Sequence, residues 1–121
     1  MAFDVDEHFI AAAEEALGCK LPKALRDRLA VCNGGEALTT DEDWLLFPVP
    51  DSSSKKRLIR TFNDMIKETA SARQWPHFPK DAIAVASNGS GDLLIAFPAS
   101  DEIYEWHHET GDVTLANVNL S

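Results

Sequence analysis

The chain has 121 residues, 45% of them hydrophobic and 26% charged, a balance typical of one globular domain rather than a disordered chain. Its 20 acidic and 11 basic side chains give a formal net charge of −9, which disfavours nucleic acid and anionic membranes as partners. The two cysteines, Cys19 and Cys32, are too few for a disulfide framework. Since the first residues are acidic and no apolar run reaches membrane-spanning length, we expect a cytoplasmic protein with reduced thiols.

Two amphipathic helices are predicted at the beginning of the chain. Apolar side chains recur at helical spacing over residues 4–17, and Gly18 follows where a left-handed C-terminal residue is favoured. Pro22 suits the first turn of a second helix, because its fixed φ fits there and its missing N–H is not needed. That helix is expected to end at residues 33–35, the sequence Asn-Gly-Gly.

The middle of the chain predicts a short strand and a long helix. Residues 44–47 form an apolar run that is ended by Pro48 and Pro50, which is typical of a buried strand. Residues 55–73 carry apolar side chains at helical spacing over about five turns. The positions expected to face the core are Leu58, Ile59, Phe62, Met65, Ile66 and Ala70.

The last third of the chain predicts a four-stranded meander over residues 82–87, 92–97, 102–107 and 113–116. Residues 88–91, Asn-Gly-Ser-Gly, are suited to a tight turn with positive φ. The fold class is therefore α+β: an antiparallel, possibly mixed sheet with an N-terminal helix pair and one long central helix packed against it. We expect a single domain over residues 1–121.

The aromatic residues are expected mainly in the core. Four of them lie at core positions of the predicted elements: Phe9, Phe47, Phe62 and Phe97. Tyr104 and Trp106 share one face of the third meander strand. This face either packs beneath the helices or forms an exposed aromatic patch, and packing is favoured because large aromatics dominate buried area.

No catalytic or metal-binding signature is found. Ser90 has glycines directly on both sides and a strand after it, whereas a nucleophile elbow needs wider glycine spacing and a following helix. His107 and His108 are adjacent on a predicted strand and point to opposite faces, so they do not readily hold one ion. We therefore predict no catalytic residues, no metal site and no cofactor.

The four regions of the chain that carry its turns and helix ends resemble the SUKH superfamily. Residues 14–22 are similar to its "E..LG..LP" opening and residues 33–35 to its "NGG". Residues 83–94 resemble its central strand–turn–strand, and residues 104–109 its "VY.WDHE", with His107 where aspartate is usual. The resemblance implies an α+β domain without enzymatic activity. Bacterial members are mainly immunity proteins that neutralise toxins, many of them nucleases, and fungal relatives regulate cell-wall assembly.

The acidic side chains point to a basic protein partner. Residues 81–121 contain seven carboxylates and no lysine or arginine. With the resemblance, this predicts a cytoplasmic immunity protein that binds a cognate toxin domain. A regulatory or scaffold module without a toxin partner is the alternative, and the oligomeric state is left open. Trp44 is the expected anchor if it is exposed, and the expected acidic surface comprises Glu36, Asp41, Glu42, Asp43, Asp92, Asp101, Glu102 and Glu105.

Overall fold

The computed structural model describes residues 3–120, and the predicted domain extends beyond these only at Met1, Ala2 and Ser121. Over this range the fold is α+β, as predicted. The helices are α1 (Glu7–Leu17), α2 (Lys23–Val31), α3 (Lys55–Arg60) and α4 (Met65–Ala72). The strands are β1 (Glu36–Leu38), β2 (Asp43–Leu46), β3 (Ile83–Ser87), β4 (Leu93–Ala96), β5 (Ile103–Trp106) and β6 (Val113–Ala116).

The N-terminal helix pair is confirmed. The Asp6 carboxylate accepts the N–H of His8 and begins α1, and Gly18 ends it with φ of 81°. The Glu14 side chain is buried at the corner between the two helices, where its Oε2 accepts the N–H of Leu21 at 2.7 Å. This bond ties the end of α1 to the turn before α2, which makes the corner rigid.

The single long central helix was a wrong prediction, because the chain breaks it into α3 and α4. Asp64 is extended between them and accepts the N–H of Lys67 at 2.9 Å, which begins a new helix. The N–H of Met65 donates to the carbonyl of Pro48 at 2.7 Å rather than to a preceding turn of helix. The Asp64 cap and the hydrogen bond to Pro48 thus interrupt the helix, although the apolar residues continue at helical spacing across the break.

The two halves of this region differ in burial. Met65 is buried and α4 packs on β3, where the Thr69 hydroxyl accepts the N–H of Ala84 at 3.0 Å. By contrast, α3 has no buried residue. Leu58, Ile59 and Phe62 are 52%, 65% and 73% exposed, so their assignment to the core was wrong. Ala70 is also exposed.

The sheet has six strands in chain order, and every neighbouring pair is antiparallel. The predicted meander is confirmed as β3 to β6, and β1 is an additional strand. Leu38 on β1 exchanges two main-chain hydrogen bonds with Asn119, which follows β6. The first strand therefore meets the chain beyond the last one, and the sheet curls nearly closed.

The hydrophobic core lies on both sides of the central strands, since consecutive residues of β3 and of β4 are buried. Of the aromatic predictions, Phe47 is buried while Phe9 and Phe97 are partly buried. Trp106 is a core residue that meets Phe78 edge-to-face at 5.2 Å. Tyr104 is half-buried against Phe97. Among the described helices, none has the length and hydrophobicity that a membrane span requires.

Candidate functional site

Three loops lie together at one end of the sheet. Because the strands are antiparallel and in chain order, the β1–β2, β3–β4 and β5–β6 connections share one end, and the β4–β5 connection lies at the other. Four of the predicted acidic residues come together at or near the three-loop end, and we call them the acidic pole: Asp41, Glu42, Asp92 and Glu105.

The neighbours that hold the acidic pole in place are histidines and an amide. Asp92 Oδ1 lies 2.7 Å from His108 Nδ1, and its Oδ2 lies 3.6 Å from His107 Nδ1. Glu105 Oε2 lies 2.9 Å from the other nitrogen of His107. Asn88 donates from Nδ2 to Glu42 at 2.9 Å. Three loops and a strand are thus cross-linked through side chains that carry no permanent positive charge.

The carboxylates of the acidic pole repel one another. Burial raises the pKa of Glu105, and the charges of Glu42, Asp92 and Asp41 raise it further against the opposing effect of His107. Burial also disfavours the charged form of Asp92, but its hydrogen bonds from His108 outweigh burial and lower its pKa. Of these two carboxylates, Glu105 is therefore the one whose charged form is disfavoured by its surroundings.

Two further predicted acids, Glu36 and Asp43, lie on the exposed side of the β1–β2 hairpin. Glu36 is paired in register with Leu45, and Asp43 with Leu38. Cross-strand partners share a face, so the two carboxylates flank two leucines that are 62% and 45% exposed. Sequence reasoning placed Leu45 in a buried run. The alternation of burial over Asp43–Leu46 is the period-2 pattern of a strand with one outward face.

Asp101 and Glu102 lie at the opposite end of the sheet, in the β4–β5 connection. Asp101 Oδ1 accepts the N–H of Lys23 at 3.2 Å, at the first residue of α2. This carboxylate therefore satisfies a main-chain donor at the start of a helix, which is a role in the scaffold. The predicted acidic surface is thus divided among three places rather than being continuous.

Trp44 does not meet the condition for an anchor, because its side chain is fully buried. Its indole N–H donates to the Thr39 hydroxyl at 3.1 Å. The exposed tryptophan at the three-loop end is instead Trp75, which is 51% exposed and packs edge-on against His108 with ring centroids 6.1 Å apart. Sequence reasoning missed Trp75, since it follows α4 in a loop and gives no periodic signal.

The side chains considered for catalysis or metal binding, Ser90, His107 and His108, all have partners in the loops at this end of the sheet. Ser90 donates its hydroxyl to Asn88 Oδ1 at 2.8 Å within the β3–β4 turn. His107 and His108 both contact Asp92, one on each carboxylate oxygen. Within residues 3–120, no group of three or more histidine, cysteine or acidic side chains is placed to hold a metal ion. The geometry is that of an acidic surface with one exposed aromatic at its side.

Comparison with known protein families identifies the family of this chain. The sequence profile described as SMI1 / KNR4 family (SUKH-1) matches residues 4–121. The chain belongs to this family. A comparison with curated proteins gives no match. SUKH domains are generally non-catalytic, and membership indicates a binding role of the immunity-protein or cell-wall-related kind. The predicted resemblance is confirmed over nearly the whole chain.

Membership accounts for the scaffold motifs of this SUKH domain and leaves the acidic pole unexplained. Glu14 and Gly18 form the helix corner, and Asn33 bonds the main chain of Val49 through both Nδ2 and Oδ1 at 2.9 Å. These are structural tasks. The acidic pole, by contrast, has carboxylates whose mutual repulsion no element of the scaffold requires.

Proposed function

We propose that this SUKH protein is an immunity protein that binds a cognate bacterial toxin domain through the acidic pole. The observation that carries the proposal is the crowding of three carboxylates around the partly buried Glu105, whose pKa is raised by burial and by these acidic neighbours. Repulsion among these carboxylates is relieved when a partner brings positive charge close to them. A basic protein surface does this by pairing with the carboxylates.

The charge of the whole molecule supports the same class of partner. At −9, the chain attracts a basic domain over long range, which speeds association and makes the rate fall with added salt. Toxins that act on nucleic acid have basic substrate-binding surfaces, because phosphate contacts dominate such binding. An acidic inhibitor fits these surfaces, and a nuclease toxin is accordingly the partner we favour.

Trp75 supplies an apolar anchor at the side of the acidic pole. It is held by the His108 ring, which is itself held by Asp92. Tryptophan is among the residues that most often dominate binding energy in interfaces. We therefore expect Trp75→Ala to weaken toxin binding about tenfold or more, whereas Val31→Ala, an exposed apolar change at the end of α2, leaves binding unchanged.

The test is co-expression with the toxin domain encoded next to this protein, combined with binding measured by calorimetry. The unaltered protein should protect the cell and form a complex. The pair Asp41→Asn and Glu42→Gln should slow association and reduce protection. The matched control, Glu15→Gln with Asp27→Asn, removes two exposed charges from the helix pair and should have little effect.

Two outcomes would contradict the proposal. If the neighbouring toxin neither binds nor is neutralised, the SUKH domain serves instead as a regulatory or scaffold module, the alternative function. If binding is retained by the acidic-pole variants and lost in the helix-pair control, the toxin uses a different surface.

A further inference from the structure

A cleft of about 480 Å³ lies between two surfaces that carry exposed apolar side chains. Glu36 and Leu45, from the β1–β2 hairpin, line one wall. Arg60 and Asn63, from the end of α3 and the α3–α4 connection, line the other. The hairpin wall and the α3 wall therefore face the same side of the molecule, although neither belongs to the acidic pole.

The two walls carry opposite charges beside exposed apolar side chains. On the hairpin wall, Leu45 is 62% exposed and lies between the carboxylates of Glu36 and Asp43. Beside the α3 wall, Phe62 lies between the lining residues Thr61 and Asn63 and is 73% exposed, and Lys67 Nζ lies 4.6 Å from its ring centroid. Lys67 also donates to the main-chain carbonyl of Phe62 at 3.3 Å, so its ammonium group is held close to the exposed ring.

We propose that a second copy of this chain occupies the cleft, forming a two-fold symmetric dimer. A two-fold axis through the cleft sets the hairpin wall of one copy against the α3 wall of the other, and the reverse contact forms at the same time. Each carboxylate wall then meets a cationic wall, and Leu45 meets Phe62 of the partner subunit. Such an interface closes on itself.

The net charge of −9 on each copy does not prevent this contact at physiological salt. The Debye length is then about 8 Å, so distant charges are screened while pairs in contact are not. A stable interface needs about 800 Å² from each partner, out of a total accessible surface of 6924 Å².

The experiment is sedimentation velocity on the full chain over a range of concentrations. The unaltered protein should show a monomer–dimer equilibrium. Glu36→Lys alone and Arg60→Glu alone should each weaken dimerisation about tenfold, and the two together should restore it, because they exchange the charges of the walls. Phe62→Ser should weaken dimerisation about tenfold as well.

The controls separate the cleft from general changes in charge and hydrophobicity. Glu15→Lys makes the same charge change as Glu36→Lys on an exposed position of α1, and Val31→Ser removes an exposed apolar side chain from α2. Both should dimerise like the unaltered protein. Circular dichroism and a thermal melt confirm that each variant is folded.

A chain that stays monomeric at all concentrations overturns the proposal, as does a dimer that Phe62→Ser and Glu36→Lys leave intact. If the same variants change only the affinity for a different protein, the cleft belongs to that protein and not to a second copy. The proposal is independent of toxin binding, since the acidic pole lies outside the cleft.

Discussion

At the scale of single residues, Glu14 shows how a sequence motif becomes a structural part. It is an acidic side chain on α1 that is only 6% exposed. Its Oε2 accepts the N–H of Leu21 and lies 3.1 Å from Arg26 Nε. One carboxylate therefore satisfies a main-chain donor of the helix corner and neutralises a partly buried guanidinium.

We expect Glu14→Ala to lower the free energy of unfolding by about 2–3 kcal/mol, because it leaves a buried N–H without its acceptor and removes one of the two carboxylates paired with Arg26. Glu14→Gln should lose less, since an amide oxygen still accepts the N–H of Leu21. Urea unfolding measures both. Glu15→Ala, at the exposed neighbouring position, serves as the control, and an equal loss for Glu14→Ala and Glu15→Ala would contradict this role.

Glu105 illustrates the opposite case, a residue that weakens the fold. Its pKa is raised in the folded protein by burial and by nearby carboxylates, so losing the proton is harder than in the unfolded chain. The folded state is therefore penalised as the pH rises from the unfolded pKa, about 4.3, through the raised folded pKa. Below both values the side chain is protonated in both states and the penalty vanishes.

Glu105→Gln should accordingly stabilise the protein at neutral pH and have no such effect at about pH 3. Urea unfolding at both pH values measures this difference. The same variant should slow association with the toxin, since it removes a charge from the acidic pole. Equal stability of the two proteins at neutral pH would show that the repulsion at Glu105 is negligible.

Asp92 contributes to stability in the opposite direction, because its pKa is lowered in the folded protein. Burial disfavours its charged form, but hydrogen bonds from His108 and the nearby His107 lower its pKa. Its contribution to stability is present above the unfolded pKa and is lost as the pH falls through the lower folded pKa. Asp92 and Glu105 therefore respond to acid in opposite directions, although both contact His107.

At the scale of the elements, the break between α3 and α4 is the main departure from the predicted fold. Periodicity over residues 55–73 describes a continuous amphipathic helix and contains no information about where its apolar side will pack. The break depends on Asp64, which is 3% exposed, and on the bond from Met65 to Pro48, a residue distant in sequence. Only α4 meets the sheet, and the apolar side chains of α3 are left at the surface.

We expect Asp64→Ala to lower the free energy of unfolding by about 1–2 kcal/mol, because it removes the side-chain acceptor for Lys67 N–H at the start of α4. Ser54→Ala is the matched control. It removes the equivalent cap, a bond to Arg57 N–H at 3.1 Å, from a helix without buried residues. Ser54→Ala should lower the free energy of unfolding by less than Asp64→Ala. A larger loss for Ser54→Ala in guanidinium unfolding would contradict the view that α4 contributes more to stability than α3.

At the scale of the whole molecule, the contact between β1 and the chain after β6 closes the sheet. The N–H of Asn119 donates to the carbonyl of Leu38 at 2.8 Å, and the reverse bond is 3.3 Å. Arg28 adds a bond from α2 to the carbonyl of Leu120 at 3.0 Å, so the helix pair is joined to the same segment. The C-terminal segment of the described chain is therefore joined to both β1 and α2.

Asn119→Pro should lower the free energy of unfolding by about 1 kcal/mol, because proline has no N–H to donate to Leu38. Asn119→Ala keeps the main-chain donor and reports the contribution of the side chain alone. Denaturant unfolding of the two variants separates these effects. An Asn119→Pro protein as stable as Asn119→Ala would mean that closure of the sheet adds nothing to stability.

Local features could be predicted from the sequence because their causes are local. Gly18 and Pro22 mark the helix corner, Gly89 and Gly91 adopt positive φ in the predicted hairpin, and short apolar segments between turn sequences mark the meander strands. The excess of acidic residues likewise follows from composition alone, and the proposal of a basic partner begins from it. These signals together were sufficient for the fold class and for the resemblance to SUKH domains.

Tertiary structure decided which of these residues meet. Strand order and register bring Asp41, Glu42, Asp92 and Glu105 together, and they send Asp101 to the opposite end. Burial placed Trp44 in the core and left Trp75 and Phe62 exposed. None of this is encoded over a few residues, because the environment of a side chain depends on contacts with segments far away in the chain. The acidity of the protein is thus a property of its sequence, and the acidic pole is a property of its fold.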